Sequence, residues 1–256
     1  MIVVVKSAGE LATMREAGRI VATTLAAVAA AAVPGCRLLD LDDLAADRIA
    51  AAGAKSSFLG YHPDWAPVPY PAVLCLSVDD AIVHAIPDGR RLRAGELLSI
   101  DFAVQYDGLH ADAAITVPVA DVDDAGRQLI DTTARALDAG IATARPGSRL
   151  GDIGYAVQSV ARAAGYGQPV GLGGHGIGTE MHEDPSVSNT GRPGRGLPLR
   201  PGLVLAIEPM LTEGGRNDHR TGADGWTVST VDGSRAAHFE HTVAVTEDGP
   251  VVLTRP

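Results

Sequence analysis

The sequence predicts an α+β fold made of two copies of one helix-helix-strand-strand unit. The copies should pack about a pseudo-twofold axis, with a central antiparallel sheet covered by helices. Three observations predict it. Short motifs recur in the same order in both halves. Apolar residues recur at helical spacing, and the first helix of each half is followed by a Pro-Gly stop. Each half also carries two apolar strands with one acid set in each.

The elements follow in order. Met1 to Val5 reads as a short strand. Ser7 and Glu10 form a capping-box pattern that opens a helix. Leu11, Met14, Ile20, Val21, Leu25 and Val28 keep its period until Pro34-Gly35 stops it. A second helix is expected from Asp40 to Ala52, ending at Gly53. From Lys55 to Arg90 the chain is rich in Pro, Gly and aromatics and reads as loops with short strands. Leu97 to Gln105 and Leu109 to Val119 are strand-like, joined at Tyr106-Asp107-Gly108 as a hairpin. The pattern then restarts, with helices expected over Asp123 to Ala144 and Asp152 to Ala164. A Gly-rich stretch follows, then strands over Leu203 to Leu211 and His238 to Thr246.

The repeat is visible at four places. Pro34-Gly35-Cys36-Arg37 matches Pro146-Gly147-Ser148-Arg149. His84-Ala85-Ile86-Pro87 matches His182-Glu183-Asp184-Pro185. Arg93 to Asp101 matches Arg200 to Glu208, and His110-Ala111-Asp112 matches His238-Phe239-Glu240. One such match is weak; four in order indicate a duplication. A single domain over residues 1–256 is expected, with halves of about 1–120 and 121–256.

The duplication sets Asp101 against Glu208 and Asp112 against Glu240, each within an apolar strand. A carboxylate buried there without a partner is strongly penalised. Whether Tyr106-Asp107 or Asp107-Gly108 forms the turn, Asp101 and Asp112 share one face, because side chains alternate with period two. Like charges that close repel unless a cation neutralises them. One cation would be crowded by four carboxylates; two divalent ions roughly 3.5–4 Å apart with bridging carboxylates resolve the geometry. His175 lies in Gly173-Gly174-His175-Gly176-Ile177-Gly178, where glycines let the backbone approach a site closely. Neutral imidazole is a common metal ligand. His84 and His182 hold matching places and should approach the centre from opposite sides. The run Gly171 to Gly176 also fits a dinucleotide fingerprint, but no βαβ pattern surrounds it.

Composition bounds the function. The chain is 46% hydrophobic and 20% charged, enough for a sizeable core. A net charge of −10 with no basic run argues against nucleic-acid binding. Two cysteines, Cys36 and Cys75, make no disulfide framework. No secretory leader pattern precedes the first helix, and the Ala-rich stretch from Val21 to Val33 is too short and weakly apolar for a bilayer. A cytoplasmic location without membrane contact is expected.

The ordered set Asp101, Asp112, His175, Glu208 and Glu240 resembles the ligand set of the pita-bread metallopeptidases. Within that group the chain is similar to type I methionine aminopeptidases. The matching segments are MREAGRI, LGYH, HAIPD, IDFAVQYDGLHAD, GGHGIGTEMHEDP, LAIEPM, DGWTV and FEHTVAV. The resemblance implies a pita-bread fold and a metal-dependent aminopeptidase that removes the N-terminal Met when the second residue is small. It implies two divalent ions, Mn, Fe or Co with Zn also suited, bridged by Asp112 and Glu240. Asp101 would chelate one ion, and His175 with Glu208 would complete the other. Glu208 would shuttle protons, His182 would stabilise the oxyanion, and His84 would bond the scissile amide.

Phe58, Tyr61, Tyr70, Cys75, Met181 and Trp226 match positions around the methionine side chain, with Trp65 an alternative to Tyr70. Phe58 and Met181 depart from the usual residue types there. Ala85 replaces a usual glycine, and Ala103 and Ala113 stand where hydroxyl residues are frequent. The expected substrate is a polypeptide N-terminus met at the ribosome, and the expected state is a monomer. Two alternatives compete: a prolidase-like or Xaa-Pro hydrolase, and a divergent paralogue of low activity that serves as a binding module.

Overall fold

The computed structural model describes residues 3–255. Among the described residues four helices form: α1 (Ala8–Ala31), α2 (Leu38–Ala51), α3 (Asp124–Thr143) and α4 (Leu150–Ala164). The first half also holds β1 (Lys55–Ser56), β2 (Cys75–Val78), β3 (Ala81–Val83), β4 (Leu97–Tyr106) and β5 (Leu109–Pro118). The second half holds β6 (Gly173–Gly176), β7 (Glu183–Ser188), β8 (Val204–Ile207) and β9 (Met210–Thr212). It continues with β10 (His219–Thr221), β11 (Val228–Thr230), β12 (Ala236–His238), β13 (Glu240–Thr246) and β14 (Gly249–Val252).

The capping box at Ser7 forms as expected, with the Glu10 amide donating to Ser7 Oγ and the Ser7 amide to the Glu10 carboxylate. Helices α2 and α4 begin two residues before the acid expected to open them. Asp152 sits in the first turn, where its carboxylate accepts from the Arg149 amide at 2.6 Å, and Asp40 in the same place pairs with Arg37. An acid inside the first turn satisfies the same exposed amides and helix dipole as a cap would.

The expected strand over Met1 to Val5 does not form among its described residues, Val3 to Val5; Met1 and Ile2 lie outside the description. The segment is tied instead through Lys6, whose amide donates to the Gly202 carbonyl and whose ammonium pairs with Glu183.

A nine-stranded antiparallel sheet runs in the order β1-β4-β5-β13-β8-β6-β7, with β2 added on β4 and β14 on β13. The stretch β4-β5-β13-β8 reads the same from either end under the duplication, so the pseudo-twofold axis passes between β5 and β13. There Glu240 opposes Ala114 and His241 opposes Ala113. The two Pro-Gly turns carry the repeat down to the backbone: Gly35 and Gly147 both have φ of 92°, a conformation glycine adopts without Cβ strain.

Alternation separates the sheet's two faces. Ile100, Phe102, Val104, Ala111 and Ala113 join the core beneath α1 and α2. Leu205, Ile207, Val243 and Val245 join the core with residues of α3 and α4. The intervening Asp101, Asp112 and Glu240 therefore face away from the helices, where the site assembles.

Candidate metal centre

The β4-β5 hairpin fixes the first two acids. Its turn is Asp107-Gly108, with φ of 47° and 81°, the doubly positive geometry of a type I′ turn. Tyr106 opposes Leu109, Ala103 opposes Asp112 and Asp101 opposes Ala114. Of the two registers open to the sequence, this is the one that makes Asp101 and Asp112 diagonal neighbours on one face. Asp112 is held further by the Thr242 hydroxyl, which accepts from its amide at 2.9 Å and donates to its carbonyl at 2.8 Å.

The second pair is built differently. The strands expected over Leu203 to Leu211 and His238 to Thr246 are each broken. Pro209, which has no N–H for a ladder, separates β8 from β9. Phe239 separates β12 from β13, and its amide donates to the Pro209 carbonyl, so the two breaks lie together. Glu208 follows the end of β8, and Glu240 opens β13.

His175 comes from β6, threaded between β7 and β8. A Cβ on Gly174 would lie 2.1 Å from the Ala206 carbonyl oxygen, so only glycine lets β6 approach that closely. This is the close backbone approach the Gly-rich run predicts; the antiparallel sheet around it leaves no place for the dinucleotide reading. The His175 ring bonds the Gly176 carbonyl through Nδ1 at 2.9 Å, which leaves Nε2 as the free acceptor. Nε2 stands 3.5 Å from Glu208 Oε1.

Asp112, His175 and Glu240 present donor atoms all within 4.8 Å of one another, and Glu208, His238 and Glu240 do the same. Asp101 Oδ1, Asp112 Oδ1 and Glu240 Oε1 are buried without a hydrogen-bond partner. Burial, with mutual repulsion, pushes the Asp101, Glu208 and Glu240 carboxyls well above their usual range, and burial raises Asp112 to about 7. Three buried carboxylates with orphaned oxygens and the partly buried Glu208, beside neutral imidazoles, are what a divalent cation would neutralise. The donor set therefore fits such ions.

A cavity of about 320 Å³ opens from these donors. Every residue expected around a methionine side chain lines it: Phe58, Tyr61, Tyr70, Cys75, Met181 and Trp226. Five aromatics reach it in a chain with only three Phe, five Tyr and two Trp. The choice left open between Tyr70 and Trp65 has a double outcome. Tyr70 is 2% exposed and donates to the Leu74 and Ala85 carbonyls, so it belongs to the floor. Trp65 is 60% exposed and belongs to the rim, with its ring 6.3 Å from His84 and 4.9 Å from Trp226.

His84 and His182 both line the cavity, entering just after β3 and just before β7. His84 has a positive φ of 60°, an uncommon backbone for a residue with a Cβ. Burial holds its imidazole pKa down at about 4, aided by His182. His182 is also held neutral, by desolvation and by His175, whose ring centroid is 4.1 Å away. The Tyr61 hydroxyl bonds His182 Nδ1 at 2.8 Å.

One group at the centre was not assigned a role from the sequence. His238 stands beside Glu208 and Glu240, yet it appears in the sequence only as part of the fourth repeat. Its position two residues before Glu240 was the available signal.

The family model for metallopeptidase family M24 matches residues 12–247. The chain is 49% identical over 256 residues to methionine aminopeptidase 1 of Mycobacterium tuberculosis, covering 97% of this chain and 94% of that one. It superimposes on the crystal structure of a methionine aminopeptidase from Thermotoga maritima with a TM-score of 0.95, at 38% identity and over all of both chains. A prolidase from Pyrococcus furiosus shares the fold alone, at 20% identity and a TM-score of 0.77, with 65% of that chain covered.

Proposed function

The chain belongs to metallopeptidase family M24, and from that premise we infer that it is a metal-dependent methionine aminopeptidase. It removes the N-terminal Met of polypeptides whose second residue is small. The observation that carries this reading is the junction of a carboxylate-rich donor cluster with an apolar, aromatic cavity of about 320 Å³.

Asp101, Asp112, His175, Glu208 and Glu240 would hold two divalent ions, Mn²⁺, Fe²⁺ or Co²⁺, with Zn²⁺ also suited to the donors. When bound, such ions supply Lewis acidity and lower the pKa of water towards neutrality. The side chain of the substrate's first residue lies among Phe58, Tyr61, Tyr70, Cys75, Met181 and Trp226, where a flexible thioether gains aromatic contacts. The Tyr61 hydroxyl bonds His182 Nδ1 at 2.8 Å, and in the tautomer where Tyr61 donates, Nε2–H remains as a donor. That N–H is suited to the oxyanion formed at the scissile carbonyl, a contact worth about 10²–10³ in rate. His84 bonds the scissile amide. Glu208, whose carboxyl is raised by burial, takes a proton during attack and returns it to the leaving amine.

The substrate is proposed to be met at the ribosome by a cytoplasmic monomer. The lack of a basic run is consistent with contact to protein rather than nucleic acid. Among the described residues no helix is long and apolar enough to cross a membrane.

Turnover of Met-Ala-Ser beside Ala-Pro peptides, with and without added Mn²⁺ or Co²⁺, tests the reading. Metal-dependent release of Met is expected. Preference for Ala-Pro peptides would favour a prolidase-like enzyme, and no turnover with full metal loading would favour a binding module.

A further inference from the structure

His238 is 2% exposed, and neither ring nitrogen has a hydrogen-bond partner. Burying an imidazole in that state forfeits its bonds to water with nothing in return. Its counterpart in the repeat, His110, is satisfied at both nitrogens: Nδ1 lies 2.8 Å from Ser57 Oγ, and Nε2 lies 3.2 Å from the Gln105 amide nitrogen. The orphaned ring is held in place. The Thr116 hydroxyl accepts from the His238 amide at 2.8 Å and donates to its carbonyl at 2.9 Å, while Ser99 bonds Thr116 from behind.

The ring is aimed at acids. Nε2 lies 3.7 Å from Glu208 Oε2 and 3.9 Å from Glu240 Oε2. These separations are too long for hydrogen bonds. They fit two donors flanking one ion, each roughly 2.0–2.2 Å from it. Glu208 thus lies between two imidazoles, with Oε1 towards His175 and Oε2 towards His238. The two clusters of donor atoms share Glu240, and each contains one histidine. His238 does not line the substrate cavity, so its ring faces the centre from the wall and not from the substrate side.

We propose that His238 is a sixth protein ligand of the metal centre, binding through Nε2 the ion held by Glu208. The centre then has a second imidazole beyond the five donors of the functional reading, on which this inference rests. An added neutral donor in place of water tightens one ion without changing the charge of the site, and favours nitrogen-preferring divalent ions.

The test is nuclear magnetic resonance of ¹⁵N-histidine-labelled protein, apo and saturated with Zn²⁺ alone. Two imidazole nitrogens should move to metal-bound shifts on loading. His175→Gln should remove one of these signals and His238→Gln the other. Calorimetric Zn²⁺ titration should show one of two ions weakened at least about tenfold in His238→Gln, since even outer-shell partners cost 10–100-fold. One shifted imidazole in the wild-type protein with two ions bound overturns the assignment and leaves the five-donor centre standing. Failure of the wild-type protein to bind Zn²⁺ overturns both.

Discussion

In the first half of the molecule, Asp101 and Asp112 sit inside two unbroken ten-residue strands joined by a two-residue turn. In the second half, Glu208 and Glu240 stand at breaks, one after β8 and one at the start of β13. The ladder positions the aspartates, whose short side chains have little reach. The breaks leave Glu208 just past the end of β8 and Glu240 on the first rung of β13, opposite Ala114, and one extra methylene carries each to the same centre. A duplicated scaffold has thus kept four acid positions while reaching them in two ways. The halves also lock each other: Thr242 in the second half clamps the backbone of Asp112, and Thr116 in the first clamps that of His238. These hydroxyl clamps flank the short β5-β13 pairing, where the ladder has run out.

If both halves supply bridging ligands, Asp112→Ala and Glu240→Ala should be equally damaging. Each should lower kcat/KM by more than the 10–100-fold typical of outer-shell partners. Steady-state kinetics on Met-Ala-Ser checks this; retention of full rate by either variant would break the symmetry.

The matching histidines should not be equivalent. His182→Ala should lower kcat by about 10²–10³ with little change in KM, as for loss of an oxyanion donor. His84→Ala should lose less, because an amide contact exists in the ground state as well. Equal losses in kcat would show that the two histidines share one task.

Metal removal probes the acids of both halves together. In the metal-free fold, burial raises the carboxyl pKa values, Asp112 to about 7. Groups raised in this way contribute stability that is full below their unfolded pKa, roughly 4. That stability is lost as pH rises through the folded values. Chelated protein should therefore melt closer to loaded protein at pH 5 than at pH 8, by differential scanning calorimetry. A gap that narrows with rising pH would contradict the burial of uncompensated acids.

The reciprocal clamps give the smallest effect. Thr242→Val and Thr116→Val should each cost roughly 1–3 kcal/mol, because a buried amide and carbonyl lose their partner. Urea unfolding measures it, and a null result for one alone would show that only one half depends on the other.

Much of this comparison was legible in the residues. Ser7 with Glu10, the Pro-Gly stops and a hairpin at Tyr106-Asp107-Gly108 are local chemistry, and they form as read, the turn being Asp107-Gly108 of the two that were open. The repeat put the acids at matching places, and alternation put Asp101 and Asp112 on one face without fixing the register. Two features escaped because they depend on tertiary contacts. The breaks at Pro209 and Phe239 lie in apolar runs that read as single strands, and they meet only when β8 and β13 pair. His238 had a place in the repeat but no evident task, since nothing local says that its nitrogens lack partners while those of His110 have them. The Val3 to Val5 segment has strand-like residues but no strand beside it to complete a ladder.

The proposed function requires donors from both halves to converge on a pair of ions. Anomalous diffraction from crystals grown with Mn²⁺ tests it most directly. Two peaks roughly 3.5–4 Å apart, enclosed by Asp101, Asp112, His175, Glu208 and Glu240, are expected. A single peak, or peaks away from these five side chains in fully loaded crystals, would contradict the account.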